Sequence, residues 1–102
     1  MRLVLFFDLP VETERDRKEY RQFRKFLIHE GYLMLQESVY SKLVTTDVNA
    51  SGEIARLRKH RPPSGLVQVL KVTEKQFETM VYITGNRESY EEIDTLEELI
   101  VL

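Results

Sequence analysis

The chain has 102 residues, of which 42% are hydrophobic and 31% are charged, and its formal net charge is -2. This length allows one domain with a modest core, and cysteine is absent, which excludes a disulfide framework, a thiol nucleophile and a cysteine-zinc site. No stretch resembles a signal peptide or reaches the roughly 20 apolar residues of a membrane span, so we expect a cytoplasmic protein without membrane contact.

The two halves of the chain differ in charge. Residues 1–61 contain 12 Lys and Arg against 9 Asp and Glu, whereas residues 62–102 contain 3 against 8. The balances of +3 and -5 add up to the net charge of -2. Such asymmetry indicates either two surfaces for two kinds of partner or simply two solvated faces.

The first predicted element is a strand over residues 2–8, followed by Leu9-Pro10. Five consecutive apolar residues, LVLFF, precede Asp8. A half-buried strand would alternate apolar and polar residues, so this run predicts burial on both faces. In so small a chain a second copy is the simplest cover for the second face, and we predict a homodimer.

A helix is predicted next. Thr13 and Asp16 are spaced as a capping box, and Gly31 is suited to the left-handed residue after the helix. At about 100° per residue, Tyr20, Phe23, Phe26 and Leu27 share one side of the helix. The opposite arc is basic and consists of Arg17, Lys18, Arg21, Arg24 and Lys25.

The segment YLMLQESVYSKLV, residues 32–44, is rich in strand-forming residues. It predicts either one bent strand or a hairpin whose turn the sequence does not locate. A short helix through Ile54, Ala55 and Leu57 is expected to end before Pro62-Pro63. At its end lies a second basic cluster, which we expect to extend the first: Arg56, Arg58, Lys59, His60 and Arg61.

The last third of the chain predicts a strand over residues 66–72, a capped turn or short helix from Thr73, and a strand over residues 80–84 that ends at Gly85-Asn86. An acidic segment and the sequence LEELIVL follow. We expect residues 1–85 to form the domain and residues 86–102 to form an acidic linker with a C-terminal strand. The order predicts an α+β, ferredoxin-like β-α-β-β-α-β sandwich with this additional strand.

Two features of the sequence suggest chemistry. Asp8 ends a doubly apolar strand, and a two-fold axis could bring two copies of it together around one Mg²⁺, which needs only one or two carboxylates besides water and phosphate. The basic arc of the first helix is either a solvated face or a phosphate-binding surface. His29 and His60 are explained by a helix end and a basic run, and no triad, His-rich site or Gly-rich loop is present.

Three segments in this order, LVLFFDLP, TERDRKEYRQFRKFL and LMLQESVYSKL, resemble the CRISPR-associated protein 2 family, particularly the members that accompany type II systems. The resemblance covers nearly the whole chain and is loosest over the last dozen residues. Asp8 matches the family aspartate that ends the first strand. Ser38 and Tyr40 match the serine and aromatic residue of the second-strand motif, while Met34 stands near where some members have an arginine.

The resemblance implies a ferredoxin-like homodimer. It implies a metal-dependent endonuclease acting on RNA or DNA, with Asp8 as both the metal ligand and the catalytic residue, and Mg²⁺ as the cofactor. It also implies a place at the centre of the spacer-acquisition complex, between two dimers of the CRISPR-associated integrase and along duplex DNA.

From these observations we derive two main hypotheses. In the first, the homodimer is a scaffold that binds duplex DNA through Arg15, Arg17, Lys18, Arg21 and Arg24. It contacts the integrase or its own dimer mate through Leu96, Leu99, Ile100 and Leu102; the alternative is that this C-terminal strand folds back on the sheet of its own chain. In the second, it is chiefly a magnesium-dependent endonuclease. A ferredoxin-like dimer that binds a small effector is the third alternative, and only the fold supports it.

Overall fold

The computed structural model describes residues 1–86. Four strands form one antiparallel sheet in the order β2-β3-β1-β4. The elements, in chain order, are β1 (Arg2–Asp8), α1 (Glu14–His29), β2 (Leu33–Gln36), β3 (Val39–Leu43), α2 (Asp47–Lys59), β4 (Leu66–Val72) and α3 (Glu74–Glu78). This α+β architecture confirms the predicted ferredoxin-like fold.

Helix α1 has the termini that the sequence predicted. The Thr13 hydroxyl accepts a hydrogen bond from the Asp16 backbone N–H, and the Asp16 carboxylate accepts one from the Thr13 N–H, which completes the capping box. After the helix, Gly31 has φ +94° and the Tyr32 N–H bonds to the Leu27 carbonyl at 3.0 Å. This closing pattern satisfies the last carbonyls of the helix.

Residues 32–44 form a hairpin, which resolves the alternative left by the sequence. Strands β2 and β3 pair around Glu37-Ser38, with an irregularity in register between Met34 and Gln36. Helix α2 is longer than the predicted helix, because the Thr46 hydroxyl caps the Asn49 N–H and the helix already begins at Asp47.

Strand β1 occupies the centre of the sheet and sends alternate side chains to its two faces. Leu5 and Phe7 are buried in the main core cluster, under α1 and α2. Phe7 makes edge-to-face contacts with Tyr20 and Phe23 of α1, with ring centroids 5.8 and 5.4 Å apart. Burial of these aromatic rings fixes α1 on one side of the sheet.

The other side of the sheet, which we call the open face, is apolar and partly exposed. It carries Val4, Phe6 and Asp8 from β1 and their register neighbours on β3 and β4. Phe6 is 37% exposed, Leu66 55% and Leu70 53%. Helix α3 meets the Arg2 end of this face, where the Arg2 guanidinium lies 4.2 Å from the centre of the Phe77 ring and its Nε bonds to Glu74 at 2.8 Å.

One predicted strand is wrong for the single chain. Residues 80–84 follow α3 without strand pairing, and Val81 and Ile83 are 77% and 91% exposed. A strand exists only where another strand's backbone completes its hydrogen bonds, and no other described segment pairs with this one. The composition is that of a strand, but within residues 1–86 this segment pairs with neither free edge of the sheet, β2 or β4.

Candidate functional site

Asp8 lies at the last position of β1, on the open face. Its register partner is Leu66 at the start of β4, and its side chain is exposed. It borders a shallow depression of about 180 Å³, whose other walls include Phe6, Ser38 and Gln68. Within residues 1–86 no hydrogen bond or ion pair occupies the Asp8 carboxylate, so its oxygens are available to a ligand.

The β2–β3 turn forms one wall of this depression. Ser38 has φ +66°, a left-handed conformation that is uncommon for a residue other than glycine. The Ser38 carbonyl accepts the Phe7 N–H at 3.0 Å, and its hydroxyl lies 3.4 Å from the Tyr20 hydroxyl. The turn is therefore held against both the end of β1 and helix α1, next to Asp8.

The other residues matched to the second-strand motif serve the core. Tyr40 is 1% exposed and stacks on Phe7, with ring centroids 5.7 Å apart. Met34 is also buried, in the same core cluster under the helices. Of Ser38, Tyr40 and Met34, only Ser38 lines the depression beside Asp8.

Gly65 is a determinant of this site that the sequence reasoning missed. It has φ +94°, and a Cβ atom on it would lie 2.7 Å from the Asp8 carbonyl oxygen and 2.8 Å from Leu9 Cδ2. The backbone before β4 therefore packs directly on the backbone of Asp8, which only glycine permits. The signal in the sequence was a glycine placed between Pro62-Pro63-Ser64 and a strand.

A divalent metal fits this site only in part. Among residues 1–86 no three His, Cys, Asp or Glu side chains gather as metal ligands. Mg²⁺ takes oxygen ligands and keeps several waters, so one exposed carboxylate is compatible with it but is a sparse ligand set. A second Asp8 from another copy of the chain would supply the carboxylate pair.

The basic arc of α1 lies on the side of the helix away from the sheet. Arg15, Lys18, Arg21 and Lys25 are exposed, and within residues 1–86 none of them has an ion-pair partner. Arg17 is exposed, but its Nη1 donates to the carbonyl oxygens of Val11 and Glu12 at 3.1 and 3.2 Å. The arc is thus a row of cations in solvent, with Arg24 partly buried at its edge.

The structure divides the second basic cluster instead of adding it to the first. Arg56 pairs with Glu30 of α1, and the His60 ring stacks on Phe26 with centroids 4.3 Å apart. His60 Nδ1 donates to the Arg56 carbonyl at 3.0 Å, because that oxygen can only accept. Arg58 and Arg61 turn instead toward β4, where both line a separate cavity.

A partly buried electrostatic network connects Tyr32, which precedes β2, and Lys42 of β3 to Glu53 of α2. The Tyr32 hydroxyl donates to Glu53 Oε2 at 3.3 Å, and Lys42 Nζ lies 2.7 Å from Glu53 Oε1. Burial raises the pKa of Tyr32 above its ordinary value, and the neighbouring Glu53 carboxylate raises it further. The network supports the fold and lies outside the Asp8 depression.

The predicted partner-binding residues Leu96, Leu99, Ile100 and Leu102 lie outside the described residues. Among residues 1–86, no helix has the length and apolar character that crossing a bilayer requires.

Comparison with known proteins gives a consistent result. The family model described as CRISPR associated protein Cas2 matches residues 1–80. The CRISPR-associated endoribonuclease Cas2 of Treponema denticola is 48% identical over 102 residues, which is the full length of both chains. The protein of the same name from Streptococcus mutans is 48% identical over 89 residues, covering 87% of this chain and 82% of that one.

Proposed function

Since this chain belongs to the CRISPR-associated Cas2 family, we propose that it acts in CRISPR adaptation as a homodimer that holds duplex DNA and bridges integrase dimers in the cytoplasm. The observation that carries this proposal is the contrast between the two sides of the molecule. One side is an apolar open face suited to a second copy, and the other carries the exposed cations of α1.

The open face supports the homodimer. Monomeric proteins rarely expose large contiguous apolar patches, and here Phe6, Leu66 and Leu70 are all at least one third exposed. Strand β4 is also an edge strand, because its only neighbour in the described sheet is β1. The exposed strand-forming segment 80–84 is therefore suited to pair with such an edge in another copy.

The exposed cations of α1 support contact with DNA phosphates. Arg15, Lys18 and Arg21 point into solvent and are not neutralised by neighbouring carboxylates in the described residues. We include Arg17 and Arg24, which flank them. Clustered Lys and Arg release counterions from the nucleic-acid backbone, which favours binding without reading sequence.

Cleavage of phosphodiester bonds is the second candidate function. It is favoured by the free Asp8 carboxylate at the depression and by the name endoribonuclease that the relatives carry. Asp8 from two copies would hold Mg²⁺, which when bound supplies a Lewis acid that can activate water. In this candidate function Asp8 positions the ion, and Ser38 and Gln68 contribute polar groups at the rim.

One experiment separates the two functions. Asp8→Asn removes the ligand charge with little change in volume, and we expect it to abolish Mg²⁺-dependent cleavage of RNA and DNA while spacer integration survives. Asp47→Asn is the matched control, because the Asp47 carboxylate pairs with Lys71 at 2.9 Å, away from the depression. Integration that fails together with cleavage would contradict the scaffold function.

The C-terminal segment has a proposed role as well. We assign residues 1–85 to the domain and residues 86–102 to an acidic linker and a strand that contacts the integrase or the dimer mate, through Leu96, Leu99, Ile100 and Leu102. Deleting residues 95–102 is expected to weaken integrase binding in a pull-down with the purified integrase. A truncated dimer that binds the integrase with full affinity would refute this assignment.

A further inference from the structure

A second cavity, which we call the α2–β4 cavity, lies on the helix side of the sheet between α2 and the edge strand β4. Its volume is about 500 Å³, and its floor is apolar and includes Leu57, Val67 and Val69. Arg58 and Arg61 stand at its wall with exposed side chains. Within residues 1–86 neither guanidinium makes an ion pair, so both are free to bind an anion. The cavity therefore suits a ligand that combines apolar groups with carboxylates or phosphates.

The chain itself contains a segment of this chemistry, outside the described residues. Residues 87–102 hold one arginine and six acidic residues, whereas residues 1–86 hold 14 Lys and Arg against 11 Asp and Glu. The two balances are -5 and +3. Residues 88–94, which we call the ESYEEID segment, contain four carboxylates interleaved with Tyr90 and Ile93. Such a segment complements an aliphatic floor walled by two arginines, in charge as well as in polarity.

The free edge of β4 can bring the ESYEEID segment of a second copy to this cavity. Every strand pair in the described sheet is antiparallel, so residues 80–84 of a second copy, paired in the same sense, would run along β4 from Val72 to Leu66. The chain then leaves the edge near Ser64, which lines the cavity. Gly85, at φ +84°, permits a change of direction there. The four residues from 84 to 88 span about 13 Å when extended, which reaches the cavity without crossing the open face.

We propose that the ESYEEID segment of one copy binds the α2–β4 cavity of the other, with its carboxylates on Arg58 and Arg61 and its apolar side chains on the floor. This inference rests on the proposed homodimer and adds a contact between the copies that is separate from the open face. Residues 95–102 follow directly and keep the contact role proposed above. Binding of the segment to the cavity of its own chain is the alternative that the test separates.

Disulfide linkage measures this contact, because the chain contains no cysteine of its own. A full chain with Ser64→Cys at the cavity is mixed with a differently tagged full chain with Ser89→Cys in the segment. After exchange of protomers the mixture is oxidised with diamide, and we expect a covalent heterodimer of the two tagged chains. Ser51→Cys in place of Ser64→Cys is the matched control and should link more slowly, since Ser51 is exposed on α2 and does not line the cavity.

Charge reversal tests the role of the two arginines. Arg58→Glu/Arg61→Glu on the chain with the cavity cysteine is expected to slow the linkage by roughly fivefold or more, since one exposed ion pair changes an equilibrium constant by up to about fivefold. Glu91→Arg/Glu92→Arg on the chain with the segment cysteine should slow it similarly. The two reversals combined should restore the rate, because the opposite charges then face each other again.

Lys18→Glu/Lys25→Glu on the chain with the cavity cysteine is the control for charge. Both lysines are exposed on α1 and lie outside the cavity lining, so the linkage rate should stay at that of the unreversed chain. Equal slowing in this control would overturn the contact. A rate that does not respond to reversal of the two arginines would overturn it as well.

Failure of this contact is distinguishable from failure of the proposed homodimer. Analytical ultracentrifugation of the full chain without cysteines reports the oligomeric state independently. A dimer in which Ser64→Cys links no faster than Ser51→Cys rejects the contact and leaves the homodimer intact. A dimer of the variant carrying both Ser64→Cys and Ser89→Cys that links only within each chain also rejects it, because the segment then binds its own chain. A stable monomer rejects the homodimer, and the contact with it.

Discussion

At the scale of single residues, the packing of Gly65 against the Asp8 backbone determines where Asp8 lies. The close approach of its backbone to the Asp8 carbonyl depends on the missing side chain and on a positive φ. Since Gly65 meets both requirements, a side chain at this position should displace the backbone at the end of β1.

We predict that Gly65→Ala lowers the free energy of unfolding by about 1–3 kcal/mol, because the added methyl group clashes with backbone and the residue is held at φ +94°. Gly52→Ala is the control: it lies within α2 with nothing within 4 Å of the added Cβ. We expect it to stabilise the protein by about 0.5–1 kcal/mol. Urea unfolding measures whether each substitution lowers or raises the free energy of unfolding. A Gly65→Ala variant as stable as the wild type would contradict the packing argument.

The raised pKa of Tyr32 predicts how the free energy of unfolding depends on pH. An unfolded tyrosine loses its proton near pH 10, whereas burial and Glu53 keep folded Tyr32 protonated to higher pH. Above pH 10 the folded chain therefore binds more protons than the unfolded chain, and stability falls as the pH rises, by up to about 1.4 kcal/mol per pH unit.

Tyr32→Phe should remove this component, so its stability should fall less steeply than that of the wild type between pH 10 and 11. Tyr82→Phe, at a tyrosine that is 43% exposed, is the control and should keep the wild-type slope. Chemical unfolding at several pH values is the measurement. Parallel curves for Tyr32→Phe and the wild type would show that Tyr32 does not titrate as argued.

At the scale of elements, helix α1 has two functions on two sides. Its aromatic side packs on Phe7 and places the helix across the sheet, and its basic side is then necessarily directed to solvent. The same amphipathic pattern therefore produces both the core and the candidate DNA surface.

We predict that Lys18→Glu/Arg21→Glu weakens duplex DNA binding and reduces its salt slope by about 1.8, since each phosphate contact contributes about 0.9. Lys71→Glu/Lys75→Glu has the same change in charge outside α1 and should have a smaller effect. Binding isotherms over a range of salt concentrations give the affinity and the salt slope of each variant for comparison. Unchanged affinity and salt slope in the α1 variant would show that α1 does not contact DNA.

At the scale of the whole molecule, residues 1–86 cover the sheet on one side only. The helices α1 and α2 bury Leu5 and Phe7, while α3 reaches only the Arg2 end of the open face. An apolar face of this kind on a chain of 102 residues favours association.

We predict a homodimer at micromolar concentration that Leu70→Glu dissociates, because Leu70 lies on the open face and a buried unpaired charge is costly. Val48→Glu is the control, since Val48 is 81% exposed on α2 and should leave the dimer intact. Analytical ultracentrifugation measures both. A wild-type chain that sediments as a stable monomer at this concentration would contradict the prediction.

The sequence by itself determined the elements whose signals are local. The capping box of Thr13 and Asp16, the glycine after α1 and the 3.6-residue pattern of its aromatic side all act between near neighbours, so α1 was predictable residue by residue. The apolar run of β1 likewise indicated a strand with Asp8 at its end. The family resemblance rests on these two segments together with LMLQESVYSKL.

Only the tertiary structure decided the features that depend on residues far apart in the chain. Residues 80–84 have the composition of a strand, but within the described residues they pair with neither free edge of the sheet, and such pairing depends on where the tertiary structure places the segment. The basic cluster at the end of α2 is divided because Arg56 pairs with Glu30 and His60 stacks on Phe26, whereas Arg58 and Arg61 line the cavity beside β4. Gly65 acquires its role only when β4 returns beside β1, because the clash that excludes a side chain is with Asp8, 57 positions earlier in the sequence.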